Sequence, residues 1–141
     1  MKRKASAVWS GDLKSGKGSI STESGTLKQT QYSFSTRFEN GVGTNPEELI
    51  AAAHAGCFSM AFSAELGKAG FTPASINTTA TVTLDKTDAS FSVTESHLDM
   101  TAKIPGIDAE KFTAIANGAK AGCPISRLLN AKVTLDAKLE G

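Results

Sequence analysis

The feature that most constrains this chain is one segment, residues 45–68, that reads as a helix with no polar side. Asn45 can accept a hydrogen bond from the first helical turn, and Pro46 suits the first helical position, where its missing N–H is not needed. From Leu49 to Ala64 every residue except His54 is apolar or small, and Gly70 follows as a stop signal. A helix without a polar side is expected at the centre of a structure, covered all round.

The chain before this helix reads as strands separated by turns. Glycine and serine pairs mark the turns. The segments between them predict a three-stranded meander formed by Ala5–Trp9, Gly18–Glu23 and Thr30–Phe38.

The chain after the helix alternates strands with helices. Ile76–Leu84 is a clean alternating strand, and the next strand, from Phe91 to Ile104, changes phase, which predicts a β-bulge near Glu95 or Ser96. Asp108 caps a helix that reaches about Ala121. A short helix over Pro124–Asn130 and a last strand over Val133–Leu139 follow. These elements predict an α+β fold, residues 1–141 as a single domain, with antiparallel sheets around one very apolar helix.

Composition narrows the class of function. The net charge is +1, from 15 basic and 14 acidic residues, so no nucleic-acid partner is expected. The uncharged stretch from Leu49 to Ala64 is short and carries polar residues, which predicts no membrane span. No apolar core of a secretory signal follows the basic start at Lys2, so a cytoplasmic location is expected.

The two cysteines are the first candidates for chemistry. A permanent disulfide is not expected in a reducing cytosol, so the pair is inert, metal-binding or redox-active. Cys57 lies in the middle of the apolar helix, where a cysteine usually only fills space. Cys123 precedes Pro124 at a helix start, which lowers a thiol pKa. These local arguments rank Cys123 as the more acidic thiol.

Two other readings of the polar residues remain open. Arg37 could supply a fixed positive charge to Cys57, although a lone arginine at a strand end is more often a surface charge. A zinc site would need His54, His97 and both cysteines, without the usual paired spacing of zinc ligands in a loop. No phosphate-binding loop and no serine nucleophile elbow is found in the sequence.

Two runs of sequence carry a family resemblance. Residues 43–60, GTNPEELIAAAHAGCFSM, and residues 119–126, AKAGCPIS, resemble the two cysteine motifs of the OsmC/Ohr family, and Thr36-Arg37-Phe38 resembles its arginine segment. The resemblance covers essentially the whole chain and is nearer to the OsmC branch than to the organic hydroperoxide resistance branch. Gly56 departs from the alanine more usual before the first cysteine.

The resemblance implies a thiol-dependent peroxidase that reduces organic hydroperoxides. In the family, the cysteine matching Cys57 is peroxidatic and the one matching Cys123 resolves it to a disulfide, which reverses the local ranking. Arg37 would activate Cys57, and Glu47 would orient Arg37 through a bidentate ion pair. The family also implies an intertwined homodimer, no cofactor, and an external dithiol reductant of the lipoyl type. Two rival hypotheses are an apolar-ligand or stress-protection protein with passive thiols, and a zinc enzyme.

The position of Glu47 raises a geometric conflict. Glu47 and Cys57 lie ten residues apart on the predicted helix, so they are separated by about 15 Å along its axis. A glutamate cannot span that distance, and we expect two such helices, antiparallel across a twofold axis, to bring Glu47 of one chain to Cys57 of the other. The alternative is a helix that bends or begins near Leu49, letting Glu47 fold back within its own chain.

Overall fold

The computed structural model describes residues 1–88 and 90–141, which form two compact units, Met1–Leu49 and Ile50–Gly141. The first unit holds an antiparallel sheet in which β2 lies between β1 and β3. This meander confirms the predicted order. Its strands are β1 Ala5–Ser10, β2 Lys17–Thr22 and β3 Thr30–Tyr32.

The third strand is much shorter than predicted. It ends at Tyr32, and a short helix, α1 Phe34–Phe38, replaces the rest of the predicted strand Thr30–Phe38. Ser33 caps this helix: its hydroxyl accepts from the N–H of Thr36 at 3.3 Å, and the Thr36 hydroxyl accepts from the N–H of Ser33 at 2.8 Å. This reciprocal capping starts a helix where the alternation of aromatic and polar residues suggested a strand.

The long helix, α2 Pro46–Lys68, begins and ends as predicted. The Asn45 side chain accepts from the N–H of Glu48 at 2.7 Å, so the helix starts at Pro46 and the alternative start near Leu49 is wrong. At the other end Gly70 takes a φ of +89°, and the N–H of Phe71 reaches the carbonyl of Leu66 at 2.9 Å. Glycine suits that left-handed position because a side chain would be strained there.

The faces of α2 differ in burial, although its composition is uniform. One face carries the four buried residues His54, Phe58, Phe62 and Leu66, spaced four apart. The opposite face is exposed and includes Ala52, Gly56 and Met60, with 77% of Met60 accessible. A single chain therefore covers the helix on one side, and covering of its other sides stays a prediction that needs a second chain.

Helix α2 also meets a length and composition test for crossing a membrane. It has 23 residues, and an 18-residue window within it has a mean hydropathy of 1.3. The uncharged stretch Leu49–Ala64 is shorter than a membrane span, but the helix extends beyond it on both sides, so the absence of a membrane span stays a prediction. Core helices of soluble proteins meet the same test, and α2 places Phe58, Phe62 and Leu66 in a hydrophobic core.

The second unit contains a mixed sheet in the order β4-β5-β6. The strands are β4 Ser75–Lys86, β5 Phe91–Lys103 and β6 Lys132–Glu140. The β4–β5 pair is antiparallel, and its register shifts where Thr83 faces Glu95 and Leu84 faces Val93. Thr94 is thus the extra residue, which confirms the predicted bulge within one position.

The last strand corrects the prediction of antiparallel sheets. β6 pairs with β5 in parallel, from Glu95 opposite Lys132 to Lys103 opposite Glu140. Two helices, α3 Ala109–Gly122 and α4 Pro124–Leu128, connect these strands. A helical crossover returns the chain to the same end of the sheet, so the two strands run in the same direction. The α+β class is confirmed.

Candidate active site

The second unit brings its two free cysteines together. Cys57 lies in the middle of α2, and Cys123 lies at the junction of α3 and α4, where it is the N-cap of α4. The two side chains interact with one another, and both adjoin the core cluster around Phe58 and Phe62. Cys123 is fully buried at 0% exposure, whereas Cys57 is half-buried. Cys57 is therefore the thiol that a solute can reach.

The surroundings shift the pKa values of the two thiols in opposite directions. Burial raises the pKa of Cys57, and its interactions with Cys123 raise it further. Burial also opposes ionisation of Cys123, but contacts with Cys57, with the N–H and hydroxyl of Ser126 and with the N–H of Ile125 outweigh it and lower the pKa of Cys123. The local sequence ranking, in which Cys123 is the more acidic thiol, agrees with these directions within one chain.

A buried histidine, His54, is linked to Cys123 through Ser126. His54 is fully buried, and its Nδ1 lies 2.6 Å from the hydroxyl of Ser96 on β5. Its Nε2 lies 2.7 Å from the hydroxyl of Ser126 on α4, the same residue that contacts Cys123. Burial lowers the pKa of His54, so its ring is neutral at pH 7. The sequence pointed to Ser126 only as part of the second cysteine motif, and it gave no signal for Ser96.

The first unit pairs Arg37 with Glu47. Both Nε and Nη2 of Arg37 donate to the same oxygen, Glu47 Oε1, at 3.1 and 2.8 Å. The predicted ion pair is present within one chain, but its donors converge on one oxygen instead of two. The other oxygen, Oε2, is buried and accepts no hydrogen bond from residues 1–88 and 90–141. The Arg37 side chain stays 39% exposed, so its remaining N–H groups can meet a ligand.

An apolar cavity of about 290 Å³ adjoins Arg37 in the first unit. Trp9 and Tyr32 pack there with ring centroids 5.5 Å apart. Aromatic and aliphatic side chains line the cavity beside Arg37: Trp9, Leu13, Tyr32, Phe34, Phe38 and Pro46. Phe58 and Phe62 belong instead to the core of the second unit, because they lie on the buried face of α2.

The proposed zinc set is not brought together. Both ring nitrogens of His54 face serine hydroxyls. Within residues 1–88 and 90–141, the one group of three side chains close enough to share a metal ion is His97, Asp99 and Asp136. It lies on β5 and β6 and includes neither cysteine.

Comparison with known proteins places the chain among its relatives. The family described as OsmC-like protein matches residues 38–138. The chain is 59% identical to peroxiredoxin OsmC of Escherichia coli over 138 residues, which is 98% of this chain and 96% of that protein. This chain belongs to the OsmC family.

Two more distant relatives support the assignment to the OsmC branch and the OsmC fold. The organic hydroperoxide resistance protein OhrB of Bacillus subtilis is 27% identical over 87% of this chain and 88% of its own. The much higher identity to peroxiredoxin OsmC confirms the predicted OsmC branch. An OsmC-like protein of unknown function from Vibrio cholerae has the same fold, with a TM-score of 0.77 at 17% identity over 97% of this chain and 99% of its own.

Proposed function

We propose that this OsmC-family protein is a thiol-dependent peroxidase that reduces organic hydroperoxides through Cys57 and Cys123. The observation that carries the proposal is a pair of free, interacting thiols, one half-buried and one fully buried. Peroxide chemistry requires one thiol that the oxidant can reach and a second thiol close enough to trap the product. The high identity to a protein named as a peroxiredoxin supports the same chemistry.

Accessibility, and not acidity, decides which thiol reacts first. Cys123 is the more acidic thiol within the chain but has no exposed surface, so a bulky hydroperoxide meets Cys57. Cys57 then needs a positive charge to favour its thiolate. Arg37 is the proposed source, and Glu47 holds two of its five donors so that the others can face the thiolate and the peroxide.

The reaction balances with these two thiols and an external reductant. The Cys57 thiolate attacks one peroxide oxygen, the O–O bond breaks, and the alkoxide takes up a proton and leaves as an alcohol. Cys57 is now a sulfenic acid. The Cys123 thiolate attacks its sulfur, a disulfide forms, and hydroxide leaves and is protonated to water. A dithiol reductant, which we propose to be of the lipoyl type, regenerates both thiols by exchange.

The proposed working form is a soluble cytoplasmic homodimer in which each chain folds as one OsmC-like domain. The exposed apolar face of α2, with Met60 at its centre, supports a partner that covers it. The buried and unpaired Oε2 of Glu47 supports further contacts for that carboxylate in the dimer. No nucleic-acid or membrane partner is proposed.

Replacing each cysteine in turn tests the assignment. We expect Cys57→Ser to abolish turnover of cumene hydroperoxide, because the buried Cys123 is out of reach. We expect Cys123→Ser to consume one equivalent and stop at a sulfenic acid on Cys57, because no second thiol remains to resolve it. Thiol counting and a sulfenic-acid trap, read by mass spectrometry, measure both outcomes.

The opposite pattern would reverse the roles of the thiols. It would consist of a trapped sulfenic acid at Cys123 in the Cys57→Ser protein and none at Cys57 in the Cys123→Ser protein. If the reduced wild-type protein consumes no hydroperoxide in a single turnover, the chain is instead a binding protein with passive thiols.

The apolar cavity beside Arg37 leads us to expect a preference for bulky organic hydroperoxides over hydrogen peroxide. Each buried methylene contributes about 0.8 kcal/mol, so two or three carbons in this cavity raise kcat/KM by roughly one to two powers of ten. Stopped-flow rate constants with both oxidants provide the measurement. We expect Phe34→Ala to reduce the preference, since Phe34 lines the cavity, and equal constants for both oxidants in the wild-type protein would contradict it.

A further inference from the structure

Resting on the proposed function, we propose that His54 and Ser126 are positioning residues for the resolving step, which hold Cys123 as a thiolate aimed at Cys57. The proposal begins from three fully buried residues, Ser96, His54 and Cys123, joined through the half-buried Ser126. Buried polar groups require hydrogen-bond partners, and the partners of these residues all belong to one polar network, Ser96–His54–Ser126–Cys123. Nothing else in the reaction uses His54.

The neutral ring of His54 couples the directions of its two contacts, and we take the tautomer that is protonated at Nε2. A neutral imidazole donates from one nitrogen and accepts at the other. If Ser96 donates to Nδ1 at 2.6 Å, then Nε2–H donates to the Ser126 oxygen at 2.7 Å. The Ser126 hydroxyl then has its own hydrogen free for the sulfur of Cys123. Every donor in this arrangement points toward Cys123, which is the arrangement that a buried anion needs.

The local backbone supports the last link. Cys123 is the N-cap residue of α4 and Ser126 is the third residue of that helix, positions whose side chains face one another across the first turn. The helix starts with Pro124, which holds this turn in place. The Cys123 side chain makes no capping hydrogen bond within the usual distance limits, but the hydroxyl and the N–H of Ser126 lie near enough to its sulfur to lower the pKa of the thiol. His54 keeps the hydroxyl in that orientation by occupying its oxygen.

The network has opposite effects on the two steps of the reaction. The neighbouring thiols compete for one negative charge, because an anion on either sulfur disfavours a second one. Loss of the Ser126 hydroxyl moves that charge from Cys123 toward Cys57. The attack on peroxide therefore does not slow, whereas the attack of Cys123 on the sulfenic acid does. A loss of folding or packing would slow both steps.

The test compares Ser126→Ala, His54→Leu and the conservative His54→Gln, which can still accept from Ser96 and donate to Ser126. The control is Ser59→Ala, which removes a hydroxyl of the same helix α2 that contacts Ala55 and Thr78 and no member of the network. Rapid-quench mass spectrometry with cumene hydroperoxide follows Cys57 oxidation and disulfide formation separately. We expect Ser126→Ala to slow disulfide formation roughly tenfold, as the loss of a hydrogen bond to an anion would. Oxidation of Cys57 should keep its rate, and His54→Gln should fall between wild type and His54→Leu.

A second measurement is independent of peroxidase activity. In a Cys57→Ser background, Cys123 is the one remaining thiol, and its ultraviolet thiolate absorbance is titrated with and without Ser126→Ala. We expect the titration midpoint to move to higher pH without the hydroxyl. An upward shift supports the network even if the wild-type protein fails to reduce hydroperoxide. Unchanged midpoints and disulfide rates, equal to those of Ser59→Ala, would overturn the proposal while leaving the peroxidase function intact.

Discussion

Cys57 and Cys123 depend on one another for their ionisation. The thiol that meets the oxidant carries the higher pKa within one chain, and contact with Cys123 is one cause of that shift. Cys123 in turn keeps a lowered pKa partly because Cys57 donates to it. The resting pair thus favours ionisation of the resolving sulfur over ionisation of Cys57. The first step depends on a positive charge that lies outside this pair.

This coupling predicts an effect of Cys123 on its neighbour. We expect Cys123→Ala to lower the pKa of Cys57, because it removes both the hydrogen bond and the charge that raise it. The thiolate fraction of Cys57 at neutral pH then rises, and so does its rate of alkylation. The pH dependence of iodoacetamide labelling at Cys57, followed by peptide mass spectrometry, measures this shift. Burial still raises the pKa in the variant, so the shift is partial.

Cys123→Ser serves as the intermediate case. Serine keeps a polar hydroxyl beside Cys57 but carries no charge at these pH values, so its labelling curve should lie between the curves of the wild-type and alanine proteins. A pKa of Cys57 that stays the same or rises in Cys123→Ala would show that the two thiols do not compete for one charge.

The candidate residues differ in how far the sequence could reveal them. Cys123 stands before Pro124 at a helix start, and that local signal alone ranks it as the more acidic thiol. His54 gives no such signal, because its partners Ser96 and Ser126 lie 42 and 72 residues away. Only the fold brings them together. The role of Glu47 came from the family resemblance, which also favoured Arg37 as a cation beside Cys57 over its reading as a surface charge, and both roles stay predictions.

At the scale of elements, the predictions that succeeded rest on local hydrogen bonds. Asn45 and Asp108 both cap the helices assigned to them, with contacts of 2.7 and 2.8 Å to the third helical residue. The prediction failed for Thr30–Phe38, where alternation suggested a strand but the capping pair of Ser33 and Thr36 starts a helix. The parallel direction of β6 follows from the path of α3 and α4, which no pattern within the strand encodes.

The exposed face of α2 carries a prediction about assembly. Met60 is 77% accessible in one chain, although burying such a side chain contributes about 1.5–3 kcal/mol. We expect Met60→Glu to convert a homodimer to monomers, since a dimer would bury this charge without a partner. Sedimentation velocity at several concentrations measures the change. Lys138→Glu, a charge change at an exposed position of β6, is the control and should leave the assembly state unaltered.

At the scale of the whole molecule, the continuous helix α2 supports the hypothesis of an active site shared between two chains. Helix α2 runs from Pro46 to Lys68 without interruption, so Glu47 and Cys57 lie on one helix, about 15 Å apart along its axis. Arg37 pairs with Glu47 of its own chain. A site that needs Arg37, Glu47 and Cys57 together therefore favours two chains, with the ion pair from one and the thiols from the other.

A mixing experiment tests this sharing between chains. Cys57→Ser lacks the reactive thiol and Glu47→Ala lacks the carboxylate that holds Arg37, so each homodimer is expected to be impaired. After dissociation and reassociation at equal amounts, about half of the dimers contain one chain of each kind. If sites are shared, both lesions fall in one site of the mixed dimer and the other site is intact, which restores about a quarter of the wild-type sites. If each site belongs to one chain, every site carries a lesion and hydroperoxide consumption does not recover. Mixing Cys57→Ser with Cys123→Ser controls for nonspecific reactivation, because both thiols of a site come from the same chain and no intact pair can form.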